Sequence, residues 1–251
     1  MLSIHHLTKS FGGVKATDDV SVDFPDGSLT AVIGPNGAGK TTFFNLITGS
    51  LRPDSGRIML DGFDLAGRSQ ADIVRAGIGR AFQVASIFRS LTVEETMRAA
   101  AGADLRRATV LHRRFPLAET RDQAEQAMVM LGLIDKRRSV AAALSHGDQK
   151  LLDIALALVL RPKILLLDEP TAGMGMEERW RMIAKVGELW DKEKITVVFI
   201  EHDMDIVFKV APHILVLCYG RILASGTPEA IRADSAVIDA YLGAAHEADV
   251  S

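Results

Sequence analysis

Two kinds of apolar run alternate along this chain. Ile164-Leu165-Leu166-Leu167 and Thr196-Val197-Val198-Phe199-Ile200 are apolar at successive positions, the pattern of strands buried on both faces by covering helices. With Leu29–Ile33, Ile58–Leu60, Ile214–Cys218 and Ile222–Ala224 they predict short strands bounded by turn residues and separated by longer helical stretches. Val20-Ser21-Val22-Asp23-Phe24 alternates instead and runs into Pro25-Asp26-Gly27, which predicts a small antiparallel part turning at those three residues. Between Val84 and Leu160 strand signals are few. Thr92-x-x-Glu95 is a capping box for a helix through Met97 to Ala100, and a second helix runs from Ala118 to Leu131 and stops at Gly132. The expected architecture is an α/β core interrupted by a helical insert.

Composition narrows the function classes. Hydrophobic residues make up 48% and charged residues 24% of the 251, the usual mix of a globular protein. Lys and Arg total 29 against 32 Asp and Glu, a net charge of −3, so non-specific nucleic-acid binding is not expected. The longest apolar run, Ile154–Leu160, has seven residues, far short of the roughly 20 that cross a bilayer. Met1-Leu2-Ser3-Ile4-His5-His6 lacks the basic and apolar regions of a secretory leader, and the lone Cys218 fits a reducing cytosol. Cys218 lies in an apolar run and is expected to be buried and inert. Arg106, Arg107, Arg113 and Arg114 cluster before Pro116. They read either as a solvated face or as a contact with acidic lipid or a partner.

The strongest chemistry lies at Gly34-Pro35-Asn36-Gly37-Ala38-Gly39-Lys40-Thr41-Thr42, which satisfies G-x-x-x-x-G-K-[ST] between a strand and a helix. A triphosphate needs many inward backbone N–H groups, and side chains at Gly34, Gly37 and Gly39 would crowd its approach or restrict the backbone. Lys40 sets a point charge on the β- and γ-phosphates, and the Thr41 hydroxyl suits Mg²⁺, a hard ion that takes oxygen ligands. The helix expected over Thr41–Thr48 aims its positive end at the anion.

Ile164–Leu167 ends in Asp168 and Glu169, at the carboxyl edge where an open α/β sheet places ligands. Asp168 is expected to hold the water shell of Mg²⁺ and Glu169 to polarise an attacking water. Gln83 follows an apparent strand end at Arg80-Ala81-Phe82, and His202 follows the strand Thr196–Ile200 at the edge expected for Asp168.

These features in this order, with Leu144-Ser145-His146-Gly147-Asp148-Gln149 just before the acidic strand, resemble an ATP-binding-cassette (ABC) ATPase from about Leu2 to Gly243. The resemblance implies a P-loop, RecA-like α/β core with an N-terminal antiparallel β part and an inserted α-helical subdomain. The core would be 1–83 and 161–251, with the helical subdomain at 84–160. Gly34–Thr42 looks like the Walker A loop, Ile164–Asp168 the Walker B strand, Glu169 the catalytic glutamate, Gln83 the Q-loop glutamine (also a metal ligand) and His202 the switch histidine. Phe11 stands where the family stacks an aromatic on adenine, a role that needs only a π-face. Ser145 and Gly147 belong to the signature that closes over ATP held by a second ATPase subunit, the same chain or a sibling, in a head-to-tail dimer. Transmembrane permease subunits are the implied partners, on the cytoplasmic face of the membrane, and Val84–Thr92 would transmit motion to them.

His146 and Asp148 replace two residues of the family signature Leu-Ser-Gly-Gly-Gln. Ser145-x-x-Asp148 is itself a capping box for a helix reaching Leu160, and an acid in the first turn complements the helix dipole. Lys150 is expected to offset the charge of Asp148 near the partner's γ-phosphate. Ala172-Gly173-Met174-Gly175 replaces the usual Ser-Ala-Leu-Asp, removing one inter-subunit contact and loosening the loop. These variants, with Glu201-His202-Asp203-Met204 and Ala240-Tyr241-Leu242-Gly243, look like the branched-chain amino-acid uptake branch and its urea and amide relatives. Ala240–Gly243 also reads as a helix end with a glycine cap. A soluble regulatory or repair ATPase is the alternative function. It is disfavoured by the single cassette and the lack of a heptad run or basic face.

Overall fold

The computed structural model describes residues 1–81, 88–102 and 118–248. The chain divides into two compact units, Met1–Ile73 with Thr196–Ser251, and Val74–Ile195. In chain order the strands and α-helices begin with β1 (Leu2–Phe11), β2 (Val14–Phe24), β3 (Leu29–Ile33), α1 (Lys40–Ile47), β4 (Ser55–Leu60), β5 (Phe63–Asp64) and α2 (Gln70–Ala76). Next come β6 (Ile78–Ala81), α3 (Val93–Gly102), α4 (Ala118–Met130), α5 (His146–Leu158), β7 (Ile164–Asp168) and α6 (Met176–Glu193). The chain then returns through β8 (Thr196–Ile200), α7 (Met204–Val210), β9 (His213–Cys218), β10 (Arg221–Gly226), α8 (Pro228–Ala233) and α9 (Ser235–Ala248).

In the first unit, β1 pairs antiparallel with β2 and β4, and β4 with β5. The β1–β2 hairpin turns at Gly12 (φ 51°) and Gly13 (φ 93°), between the paired residues Phe11 and Val14. Positive φ at both turn residues matches the twist of the flanking strands. The antiparallel turn expected at Pro25-Asp26-Gly27 is therefore elsewhere. Those residues carry the chain from β2 to β3, whose partners are β8 and β9 in parallel register. A register shift between Ile4 and Leu7, with His6 at φ 50°, breaks the period of β1 and hides the strand from a reading of alternation. All five residues of β3 and all five of β8 are buried, as their unbroken apolar runs predict. Phe24 of β2 packs on Phe43 of α1 with ring centroids 6.5 Å apart. The Arg221 guanidinium of β10 holds Asp18 of β2, with Nε to Oδ2 at 2.7 Å.

In the second unit, β6 pairs in parallel with β7, and α3, α4 and α5 pack on one another. The capping box of α3 forms as expected, with Thr92 N–H donating to Glu95 Oε2 at 2.8 Å and Glu95 N–H to Thr92 Oγ1 at 3.2 Å. After α4, Gly132 takes φ 72°, and the amides of Leu133 and Gly132 donate to the carbonyls of Met128 and Val129. This is the Schellman stop that the glycine predicts. No helix of the described residues is long and apolar enough to cross a membrane. Gln83 and the arginines at 106, 107, 113 and 114 lie outside the described residues, as do residues 84–87 of the Val84–Thr92 segment.

Removing the cap by Thr92→Ala should lower the unfolding free energy by about 1 kcal/mol. Urea denaturation followed by circular dichroism reads the loss.

Candidate functional site

The phosphate loop lies wholly in the first unit. β3 ends at Ile33, and Gly39, at φ 96°, is the N-cap of α1, which starts at Lys40 rather than Thr41. Lys40 is 6% exposed, and its ammonium donates to the carbonyls of Gly34 at 2.7 Å and Pro35 at 2.9 Å. A buried ammonium needs such acceptors, so the lysine draws the loop around itself. Asn36 and Gly37 at the tip are exposed, as is Thr41, while Ala38 is buried and Pro35 and Thr42 are half-buried.

The glycines are required for two different reasons. A Cβ on Gly34 would stand 2.0 Å from the Leu217 carbonyl oxygen of β9, and one on Gly39 would stand 2.1 Å from that of Ala16 in β2. Their constraint comes from the protein backbone packed behind the loop and from their positive φ of 149° and 96°, in keeping with the expected restriction of the backbone. Gly37 faces open space, and its φ of 77° alone favours glycine. The Gly220 amide also donates to Ala38 O at 3.1 Å, tying the β9–β10 turn to the loop.

Phe11 and His202 belong to the same unit. Phe11 is 47% exposed at the hairpin tip, with Lys9 Nζ 5.6 Å from its ring centroid. Lys9 in turn donates to Asp54 Oδ1 at 2.7 Å, holding that carboxyl below its ordinary range. His202 is exposed between β8 and α7, where Asp203 caps the helix through the amides of Asp205 and Ile206. Half-buried Cys218 has its thiol pushed up by burial, in keeping with the expected inertness. The Tyr241 hydroxyl is buried, which pushes its pKa up to about 12 while the Gly34 backbone acts in the opposite direction. α9 continues through Gly243 to Ala248, so Ala240–Gly243 is not a capped helix end.

The paired acids and the signature segment lie in the second unit. Asp168, at the end of β7, is 4% exposed and accepts from Arg80 Nη2 of β6 at 2.5 Å. Glu169 follows at φ 49°, and its carbonyl accepts from Lys150 Nζ at 3.1 Å. A non-glycine residue at positive φ is strained, and such strain concentrates at functional sites. Ser145 is the N-cap of α5. Its Oγ accepts from the Asp148 amide at 3.2 Å and its hydroxyl donates to Asp148 Oδ2 at 2.8 Å. Asp148 Oδ2 also accepts from Lys136 Nζ at 2.5 Å.

Lys136, not Lys150, is therefore the counter-ion of Asp148. Residues two apart on a helix point about 200° apart, which takes the Lys150 side chain to the face where it meets Glu169. His146 Nε2 lies 3.2 Å from Ala172 O, and a Cβ on Gly147 would stand 2.6 Å from Glu178 Oε1. The signature residues are thus fitted against 172–178. A cavity of about 350 Å³ opens beside Ser145, Gly147 and Asp148, lined further by Lys136, Glu178 and Arg181. Gly175 has extended backbone and serves as the N-cap of α6, so its own conformation does not demand glycine. Arg80 and Lys136 were not singled out in the sequence. Their only signal is a cation placed to meet a buried or helix-capping acid once the chain is folded.

A family model described as ABC transporter matches residues 17–172, and one described as branched-chain amino acid ATP-binding cassette transporter matches residues 221–247. LivG of Salmonella typhimurium, a high-affinity branched-chain amino acid transport ATP-binding protein, is 38% identical over 252 residues, covering 98% of each chain. BraF of Pseudomonas aeruginosa, described in the same words, is 37% identical with the same coverage. The crystal structure of the ADP conformation of an ATP-binding cassette from an ABC transporter has a TM-score of 0.85 at 32% identity. That match covers 97% of this chain and 98% of its own.

Gly39→Ala should remove nucleotide binding, because its Cβ needs the Ala16 backbone to move. Gly37→Ala should cost roughly 1–2 kcal/mol of stability for the left-handed conformation and still bind. Nucleotide titration and chemical denaturation of both variants separate the two cases.

Proposed function

The chain belongs to the ATP-binding family of ABC transporters, and we propose that it energises uptake of branched-chain amino acids through membrane permease subunits. It is an ATPase of the transport class, and the alternative of a soluble regulatory or repair ATPase is not favoured. The observation that carries the reading is the phosphate loop, whose buried Lys40 is pinned across Gly34 and Pro35 at the N-terminus of α1. The choice of solute rests on the relatives, transport proteins for branched-chain amino acids over nearly their whole length. The match over 221–247 supports it.

In this reading, residues Gly34–Thr42 hold ATP through backbone N–H groups, and Lys40 sits against its β- and γ-phosphates. Phe11 stacks on the adenine. The donors suggested for a metal, the Thr41 hydroxyl and the Asp168 carboxylate, are hard oxygens suited to Mg²⁺, and Gln83 would add a third. When bound, Mg²⁺ would neutralise charge on the phosphates. Glu169 orients and polarises the attacking water, and His202 meets the γ-phosphate.

Ser145 and Gly147 of one copy close on the nucleotide held by a second ATPase subunit, either the same chain or a sibling. Lys136 moderates the charge that Asp148 brings to that contact. We take the nucleotide-binding core as 1–83 and 161–251 and the helical subdomain as 84–160. Val84–Thr92 would carry the motion to the permeases on the cytoplasmic face of the membrane.

Glu169→Gln should retain ATP but stall its hydrolysis. Light scattering should therefore show a shift from monomer to dimer only with Mg²⁺ and ATP. A monomer that binds ATP and never shifts would contradict self-pairing and leave a sibling ATPase as the partner.

A further inference from the structure

The Arg80–Asp168 pair goes beyond the roles assigned so far. Arg80 on β6 stands opposite Leu166 on β7 in parallel register, and Asp168 lies two residues further along the same strand. Positions two apart share a face of the sheet, so the two side chains meet diagonally across one strand gap. Both are buried, at 6% and 4% side-chain exposure, with Nη2 and Oδ2 2.5 Å apart.

A guanidinium donating to Oδ2 fixes the rotation of the Asp168 carboxylate in this buried position. Guanidinium remains charged at any pH a protein tolerates. The charge beside Asp168 is therefore present whether or not nucleotide is bound.

We propose that Arg80 is a positioning residue for the cation site, fixing the orientation of the Asp168 carboxylate through Oδ2 so that Oδ1 is left to a cation's water shell. A second cation near a guanidinium would ordinarily be repelled. The metal expected here arrives with the phosphates of the nucleotide, whose negative charge offsets that repulsion. The neighbouring acid is fixed by the same unit, since Lys150 Nζ bonds the Glu169 carbonyl. Side chains from β6 and α5 thus set the two adjacent acids independently, one through its carboxylate and the other through its backbone.

The proposal rests on the reading of Asp168 as a Mg²⁺-site residue. Calorimetric titration of the full chain with ADP, which is not turned over, is run in excess EDTA and again in excess Mg²⁺. The readout is the ratio of the two affinities for the parent, Asp168→Asn, Arg80→Met and Arg80→Lys.

Arg80→Met should keep its affinity in EDTA within about twofold and lose on the order of tenfold of the Mg²⁺ enhancement, the usual effect of removing a partner that orients a metal ligand. Arg80→Lys keeps a charge but not the planar fork and should fall between. It also carries the test if the methionine variant does not fold. An unchanged Mg²⁺ enhancement in the Arg80 variants, or an equal loss in EDTA and in Mg²⁺, would overturn the proposal while Asp168→Asn still abolishes the enhancement. If Asp168→Asn leaves the enhancement intact, the reading of Asp168 fails and takes the proposal with it.

Discussion

A lysine ammonium out of reach of solvent must find acceptors or lose its charge. Lys40 finds them in the carbonyls of Gly34 and Pro35. That requirement organises the first unit around the phosphate loop. To bring those carbonyls inward, the chain leaves β3 at once into a tight turn and re-enters helix at the lysine itself. The turn then lies so close to Leu217 of β9 and Ala16 of β2 that neither Gly34 nor Gly39 has room for a side chain. The loop is therefore shaped by protein groups before an anion arrives.

The second unit handles the opposite charge in the same way. Asp168 is buried against Arg80, 88 residues away in sequence, and half-buried Asp148 meets Lys136, 12 residues away. The Asp168 pair holds a buried carboxylate in one orientation. The Asp148 pair lets an acid occupy the first turn of α5, where the helix dipole favours it, while Lys136 limits the negative charge at the signature segment. Both devices rest on charge assignments a protein can hold without nucleotide.

How far these features were legible depends on their range along the chain. Motifs confined to a few residues could be read directly: the phosphate loop, the Thr92–Glu95 box, the Gly132 stop and the Ser145–Asp148 cap are each closed by local geometry. Strands of unbroken apolar character were legible because burial on both faces leaves no ambiguity of period. β1 was not, because its bulge at His6 shifts Leu7 out of phase with Leu2 and Ile4. The hairpin was misplaced to Pro25–Gly27 for the same reason, since the true turn at Gly12-Gly13 needs β1 on one side. Arg80 and Lys136 depend on strand register and on a short helical turn at 134–136, and no spacing along the chain encodes either meeting.

In this structure Lys40 organises the loop before nucleotide binds. Thermal unfolding of the nucleotide-free Lys40→Met protein, set beside its ATP affinity, tests it most directly. ATP binding should be lost and the nucleotide-free midpoint should also fall, because buried carbonyls lose a charged donor worth roughly 1.5–3 kcal/mol. Loss of binding with an unchanged midpoint would contradict it, leaving the lysine as a ligand for phosphate that has no part in building the loop.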